Sequence, residues 1–399
     1  METLWVCPLL DCSPQSTLMH SVIADNPPAT RVAAPRSTRA GMCIAAMSGG
    51  VDSAVAAALA VRCGIDAVGV TMRLWSPGPG SLTEKVRQCC GPTAYADAKS
   101  AAEVAGIPHY IVNFEAAFSR AVVSYFCREY LAGRTPNPCV ACNNLVKFGV
   151  LLDFARALGA VTLVTGHYAR AYVDDAGPHL LRAVDRSKDQ SYMLAGLRPA
   201  QLASIIMPLG DYTKEQTRAL ARDLDLAVAE KPDSVDLCFV DGDYRSFILE
   251  RYPDSAAPGL LLTVDGQEAG SHNGLLNYTV GQRKGLPETL RDGPWYVLRT
   301  DRKANAVIIG RRDDLARRRV TCSSANIVRG ERFRAGSASG LAVCRYRSRG
   351  IPANARVSAD GTWLIVDFDA PVPMLAPGQL LVLYDSADEE VLASGIIEP

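Results

Sequence analysis

Three short stretches of this chain carry side chains suited to chemistry. The first is Ser48-Gly49-Gly50-Val51-Asp52-Ser53. Two adjacent glycines let the backbone come close to a ligand, and the amides that open the following helix point at an anion that the helix dipole favours. The serine hydroxyls add donors. The loop lacks the Gly-Lys-Ser/Thr of a Walker A motif, which argues against transfer of a terminal phosphate. The second stretch, Arg134-Thr135-Pro136-Asn137-Pro138-Cys139-Val140-Ala141-Cys142-Asn143, is a proline-stiffened loop running into a helix, with Lys147-Phe148 shortly after. A thiol near a helix N-terminus is expected to have a lowered pKa, which raises its thiolate fraction. The third, Asp233-Ser234-Val235-Asp236-Leu237-Cys238-Phe239, places another cysteine about a hundred residues further on. Two such thiols meeting at one site can do persulfide chemistry, one carrying the sulfur and the other resolving the intermediate through a disulfide.

The elements that must position these groups are readable from residue 42 onward. MCIAAM is a buried strand, AVAAALAVRC an alanine-rich helix ending at Gly64, DAVGVTMRLW a strand, TAYADAKSAAEVAG a helix and PHYIVNF a strand. A helical stretch through AFSRAVVSYFCREYLAG, a helix over LVKFGVLLDFARALG and a strand in AVTLVTGHYA follow. Strands alternating with helices predict an α/β domain with a doubly wound parallel sheet over residues 40–245. Met72 ends the second strand and Gly166-His167-Tyr168 a later one. Ligands in open parallel sheets bind at the carboxyl ends of strands, so both belong at the rim of the pocket. Short strands separated by Gly, Pro and Asp turns then predict a small mostly-β central domain over 246–317 and a β-barrel-like domain over 318–399.

Bulk properties narrow the class. The 399 residues are 48% hydrophobic and 21% charged, ordinary for a globular protein of two or three domains. No run of 18 apolar residues suggests a membrane span. Formal net charge is zero, but Arg302–Arg349 holds thirteen Arg/Lys against Asp313, Asp314 and Glu331, a local basic stretch of the kind that binds phosphates. Twelve cysteines spread through a long chain fit a reducing cytoplasm with a few chemical thiols rather than a disulfide framework. Residues 1–39 show no clear periodicity; a transit-like segment, a tail and an early start codon are the readings open for them. The absence of coiled-coil heptads and the basic face point to a monomer.

The Ser48–Ser53 string looks like the PP-loop of ATP pyrophosphatases, which implies cleavage between the α and β phosphates. The resemblance sharpens with GRTPNP..CN..VKF, TGHYA, SKDQSYML, DSVDLCF, the Tyr278–Gly285 segment YTVGQRKG, PWYV, CRYR and the final PGQ..V.YD, all in one order from about residue 42 to the C-terminus. Together they resemble the tRNA-specific 2-thiouridylase family. The resemblance implies ATP binding by Ala46, Met47, Ser48, Gly49, Gly50, Val51, Asp52, Ser53, Met72 and Gly166, with Mg²⁺ neutralising phosphate charge. It implies that Cys142 is the nucleophile and that Cys238 carries the persulfide and forms a transient disulfide with it. Asn137, Pro138 and Cys139 would lie against the target base, and His167, Lys188, Asp189, Gln190, Arg345, Tyr346 and Gln379 would contact tRNA. The implied partners are tRNA, through the anticodon loop with its wobble uridine, and a persulfide sulfur-relay donor protein.

One position departs from the family: many members have Asp where this chain has Cys139. The change removes an acid and creates Cys139-x-x-Cys142, near which Cys89-Cys90 could lie. A CxxC pair can be redox-active or ligate zinc or an iron–sulfur cluster; the usual two-pair zinc spacing is not visible, so zinc or a cluster stays open but is not the favoured reading. The remaining cysteines read as buried or incidental. Two rival functions stand beside this one. A PP-loop enzyme acting on a small molecule would need neither the paired cysteines nor a basic β-domain, and a non-catalytic RNA-binding protein would not need an intact nucleotide loop.

Overall fold

A computed structural model of the chain describes residues 41–76, 91–233, 237–286 and 293–399. The N-terminal extension, Cys89-Cys90 and Ser234–Asp236 lie outside the described residues.

The parallel sheet starts with β1 (Cys43–Ala46), continues through β2 (Ala67–Arg73), β3 (His109–Asn113) and β4 (Thr162–Val164), and is completed by β7 (Ile205–Ile206) after the antiparallel hairpin β5 (Arg170–Asp174) and β6 (Gly177–Leu181). Its order is β3-β2-β1-β4-β7, with every pairing parallel. Successive strand residues point to opposite faces. Cys43, Ala45 and Val164 therefore join one apolar cluster, and Ile44 and Leu163 join another across the sheet. Both faces are covered, as the doubly wound reading expects. On the first face lie α1 (Val51–Arg62) and α2 (Pro92–Ala105). Alanine gives α1 both high helix propensity and a thin profile, and Ala54 through Ala60 are almost wholly buried. Helix α2 opens with Pro92 in its first turn and ends at left-handed Gly106.

The opposite face holds a helical run over 115–131, termed α3, and α4 (Pro138–Ala157). Helix α4 is long and apolar enough to cross a membrane by composition, but half of it is buried here, with Val146, Leu151, Leu152 and Ala155 sealed inside the core. Its middle, Cys142–Val150, is π-helical. Gln201 Nε2 donates to the carbonyls of Asn144 (3.1 Å) and Phe148, taking up carbonyl valence along that widened turn.

Beyond these lie two β units. In the smaller, β8 (Gly259–Thr263), β9 (Glu268–His272), β10 (Tyr296–Asp301) and β11 (Ala306–Gly310) pair in the order β10-β11-β8-β9 around Leu261, Val297, Val307 and Ile309. The larger is a closed six-stranded barrel of β12 (Arg317–Ile327), β13 (Ala338–Val343), β14 (Ile351–Val357), β15 (Leu364–Val372), β16 (Leu380–Tyr384) and β17 (Val391–Ile397). Closure removes free sheet edges and leaves an interior filled by Leu364, Val366, Leu381 and Leu383.

The barrel is bonded to the α/β unit. Arg134 pairs with Glu129 (2.7 Å) and Glu398, Arg182 with Asp388 (2.7 Å), and the Ser191 and Tyr384 hydroxyls lie 2.9 Å apart. Asn326 Nδ2 donates to the carbonyls of Ala195 and Leu197, both at 2.8 Å.

Candidate active site

The Ser48–Ser53 loop runs from the end of β1 into α1. Ala46 closes the strand, and Met47, 3% exposed, is fixed through its N–H to Val70 O (2.9 Å) and by Thr71 Oγ1 donating to its carbonyl (2.8 Å). Gly49 has φ +71°, and a Cβ there would sit 2.2 Å from Ala94 O. Both the left-handed backbone and the α2 contact require glycine. Ser53 Oγ ties the loop to itself, accepting from Ser48 N (3.1 Å) and donating to Gly50 O (3.0 Å). Gly50 precedes α1 with no side-chain cap, and a Cβ on it would meet nothing nearer than Ser48 Oγ at 3.6 Å. The first amides of α1, which begins with buried Val51, have no side-chain cap, as an anion site at a helix start requires.

Gly166, at the end of β4, permits the closest approach to that helix: its Cβ would fall 2.6 Å from Asp52 C and 2.7 Å from Ser53 N. Met72 is half-buried near the end of β2, beside the Thr71 that fixes Met47. Charge surrounds the loop. Asp52 accepts from Tyr168 Oη (2.9 Å) and from Lys214 Nζ (2.7 and 2.8 Å), while Lys231 Nζ spans Gly49 O (2.8 Å) and Asp97 (2.6 Å).

The thiols sit on the sheet's other side. Asn137 caps α4 by accepting from Val140 N (3.3 Å), its Nδ2 reaches Met193 Sδ (3.5 Å), and Pro138 takes the first helical position. Cys139 is exposed in the first turn, whereas Cys142 is 7% exposed. Cys238 is half-buried against the apolar cluster that contains Cys142, so residues about a hundred apart in sequence share one core. The helix terminus does not win the contest over ionisation. Burial pushes the Cys142 thiol up, against a downward pull from Lys147. The expected lowering is therefore not found at Cys142, where removing a thiolate from water outweighs the attraction of Lys147.

Lys147, noted in the sequence beside the cysteine loop but given no role there, is part of the site. It is half-buried, makes no ion pair or hydrogen bond among the described residues, and acts electrostatically on Cys139, Cys142 and His167. Burial first, and Lys147 second, hold the His167 imidazole well below its usual range, so it is neutral at pH 7. His167 Nδ1 lies 2.7 Å from Thr165 Oγ1, and its ring is 5.5 Å from that of Phe148.

The residues assigned to tRNA fall into two kinds. Arg345 is exposed on a barrel loop. Beside it the Tyr346 hydroxyl donates to Asp189 O (3.3 Å), and its ring lies 5.9 Å from that of Tyr192, so two motifs far apart in sequence form one surface. Asp189 itself is 7% exposed, and its carboxylate accepts from Ala183 N, Arg182 and Ser191 Oγ, each at 2.9 Å. That carboxylate is occupied in shaping the segment. Gln190 likewise clamps Tyr168, donating from its N–H (2.8 Å) and accepting at Oε1 (2.9 Å). Gln379 Nε2 donates to Thr135 O (2.8 Å), bracing the loop that leads to the thiols. Lys188 pairs with Asp233 (2.7 Å).

Residues 42–242 match the family described as tRNA methyl transferase HUP domain, 245–311 its PRC-barrel domain, and 320–397 an aminomethyltransferase beta-barrel domain. A relative in Carboxydothermus hydrogenoformans named tRNA-specific 2-thiouridylase MnmA is 43% identical over 89% of this chain and 97% of its own length. The chain belongs to the tRNA-specific 2-thiouridylase family. Members in Methylorubrum populi (42% identical, 91% of this chain, 94% of that one) and Chloroflexus aggregans (44%, 89% and 97%) carry the same name. The Ser48–Ser53 loop, Cys139, Cys142 and Cys238 all fall within the 42–242 match. Among the described residues no group of three or more His, Cys, Asp or Glu side chains is arranged to hold a metal ion.

Proposed function

We propose that this protein is a tRNA-uridine 2-sulfurtransferase that activates the wobble uridine with ATP and replaces its C2 oxygen by sulfur. The observation that carries the reading is the pairing, on one sheet, of an uncapped anion-binding helix start with two thiols that share a core cluster. Methyl transfer, the activity in the family descriptions, would require neither.

The division of labour follows the chain. Residues 40–245 are the catalytic domain, 246–317 the small central domain, and 318–399 the barrel whose basic strand helps hold tRNA. Ala46–Ser53, Met72 and Gly166 bind ATP. Mg²⁺ fits as a companion of the nucleotide, since the phosphates supply hard oxygen ligands and Asp52 is the carboxylate in the loop. The uracil C2 oxygen attacks the α-phosphorus and pyrophosphate leaves, giving an adenylated base. Cys238, loaded by a persulfide relay protein, holds the sulfane sulfur. That sulfur reaches C2 either directly, with Cys142 then attacking Cys238, or as hydrosulfide released when Cys142 attacks first. Both routes expel AMP and leave a Cys142–Cys238 disulfide that an external thiol reduces. Asn137, Pro138 and Cys139 lie against the base; His167, Lys188, Gln190, Arg345, Tyr346 and Gln379 form or support the tRNA surface around the everted uridine. The protein works as a cytoplasmic monomer.

The test is thiolation of unmodified tRNA by the purified protein with ATP, Mg²⁺ and a persulfide source. We expect 2-thiouridine at the wobble position and tRNA-dependent pyrophosphate release. ATP cleavage driven by a small molecule, with tRNA unchanged, would overturn the reading.

A further inference from the structure

The nucleotide side of the sheet carries more cations than a helix N-terminus needs. Lys214, first residue of α5 (Lys214–Asp223), has a side chain 11% exposed and reaches both Asp52 (2.7 Å) and Asp233 Oδ1 (2.7 Å). Lys188 Nζ lies 2.7 Å from the other Asp233 oxygen. Arg218 reaches Asp233 (3.4 Å) while its guanidinium donates to Ala229 O (2.6 Å) and Lys231 O (3.0 Å), and Lys231 in turn holds Gly49 O and Asp97. Four cations thus meet three carboxylates around the uncapped start of α1.

The carboxylates are not equivalent. Asp52 belongs to the first turn of α1 and Asp97 to α2, both fixed by their helices. Asp233 lies outside any helix or strand, its side chain is 34% exposed, and its two oxygens each face a different lysine. Burial alone would raise this carboxyl, but hydrogen bonds from Lys188 and Lys214 hold it below the ordinary carboxylate range. A phosphate group presents the same fork of oxygens with more charge and more acceptors, and charge-assisted bonds to it are stronger. The α1 amides supply the complementary donors on the loop side.

We propose that Lys188 and Lys214 seat the phosphates that leave as pyrophosphate, and that Asp233 fills this seat when no nucleotide is bound. The assignment rests on the ATP reading above and gives Lys188, at the border of the tRNA surface, a contact to the nucleotide as well. Arg218 acts as a positioning residue that fixes the chain carrying Lys231. Nucleotide binding then has to displace a carboxylate, so Asp233 lowers the affinity for any ligand that reaches the seat and spares ligands that stop at the α-phosphate.

The experiment compares equilibrium binding of ATP, pyrophosphate and AMP to the full chain and to Lys188→Gln, Lys214→Gln and Asp233→Asn, with thermal melts to confirm folding. Each lysine variant is expected to weaken ATP and pyrophosphate by roughly tenfold or more, with AMP held within about twofold of wild type. Asp233→Asn is expected to tighten ATP and pyrophosphate severalfold and leave AMP alone. Equal losses for ATP and AMP, unchanged ATP affinity in a folded Lys188→Gln, or weaker pyrophosphate binding in Asp233→Asn would each overturn the assignment. Wild-type protein that binds no ATP would sink the functional reading itself, whereas wild type that binds ATP with variants that do not discriminate would sink only this proposal.

Discussion

The nucleotide loop and the thiol helix lie on the same sheet and are built by opposite electrostatics. Around Ser48–Ser53 charge is abundant and compensated: Lys214, Lys188, Arg218 and Lys231 face Asp52, Asp97 and Asp233, and the backbone holds its ligand-binding shape by itself. Around Cys142 charge is suppressed. The thiol is 7% exposed and pushed up by burial, His167 is held neutral, and Lys147 is a cation without an ion pair among the described residues. A binding site gains from holding its cations in place, because a ligand then has only the Asp233 carboxylate to displace. A persulfide-handling thiol gains from staying protonated, because a standing thiolate reacts with any oxidant or disulfide it meets. The ready site and the guarded site are two solutions to one reaction.

The sharpest way to break this separation is to remove the sulfur chemistry alone. Cys142→Ala and Cys238→Ala should each lower tRNA thiolation by about a thousandfold or more. ATP affinity should stay within about twofold, since Cys142 belongs to the apolar cluster on the opposite face of the sheet from α1. Parallel measurements of thiolation and of ATP binding decide it. A cysteine variant that loses both would mean that the thiols also support nucleotide binding.

The nucleotide side can be strained without touching its charges. Gly49→Ala places a non-glycine residue at φ +71° and drives its Cβ into Ala94 O. The backbone term alone costs about 1–3 kcal/mol, and the contact with α2 adds to it. Gly50→Ala, at φ −102° with open space around the new methyl, should hold stability within about 0.5 kcal/mol. Denaturant melts of the two variants, read side by side, should separate them clearly. Equal losses would show that the loop is not set by the Gly49 conformation.

On the thiol side the matching probe is Lys147→Met. Lys147 pulls the Cys142 thiol down against burial. Removing it should slow alkylation of Cys142 at neutral pH severalfold, because without the lysine burial acts on the thiol unopposed. Because the folded thiol already titrates above its usual range, the wild-type rate should climb steadily as pH rises toward that range and beyond. The variant's curve should run parallel and shifted to higher pH. A pH profile that does not move would remove Lys147 from the site.

How much of this could be read from the chain depends on how local each arrangement is. The Ser48–Ser53 loop was legible because six consecutive residues make the whole device, and the parallel sheet was legible because short, mostly apolar strands alternate with helices. Lys147 was not. It lies five positions after Cys142, roughly 140° away around an α-helix, and the π-helical turn over Cys142–Val150 is what brings it round toward the thiol face. Asp189 was placed against tRNA from its motif, yet its burial depends on Arg182, a hairpin residue, and on a barrel that begins far downstream. Strand β12 escaped notice because it opens with exposed Arg317, Arg318 and Arg319, a pattern that reads as a basic surface before it reads as a strand. The thiol pKa failed for a related reason: the helix N-terminus is visible in the sequence, but the burial that outweighs it is tertiary.

The smallest expected effect tests whether the guarded side is guarded by burial. The His167 imidazole in the folded protein stays neutral well below its ordinary pKa of 6.5, mainly because charging it would strip its hydration, with Lys147 adding repulsion. The unfolded chain feels neither constraint and takes up its proton first as pH falls. Stability contributed by neutral His167 is therefore complete above about pH 6.5 and is lost as pH drops through the ordinary imidazole range, at no more than about 1.4 kcal/mol per pH unit. His167→Gln keeps a polar group beside Thr165 Oγ1 but cannot titrate. Urea melts between pH 7.5 and 5 should show wild type losing stability faster than the variant, with the difference confined to the window below about 6.5. Parallel stability curves would mean that the ring is solvated in the folded state and that the thiol face is open to water, which would also remove the reason for Cys142 to resist ionisation.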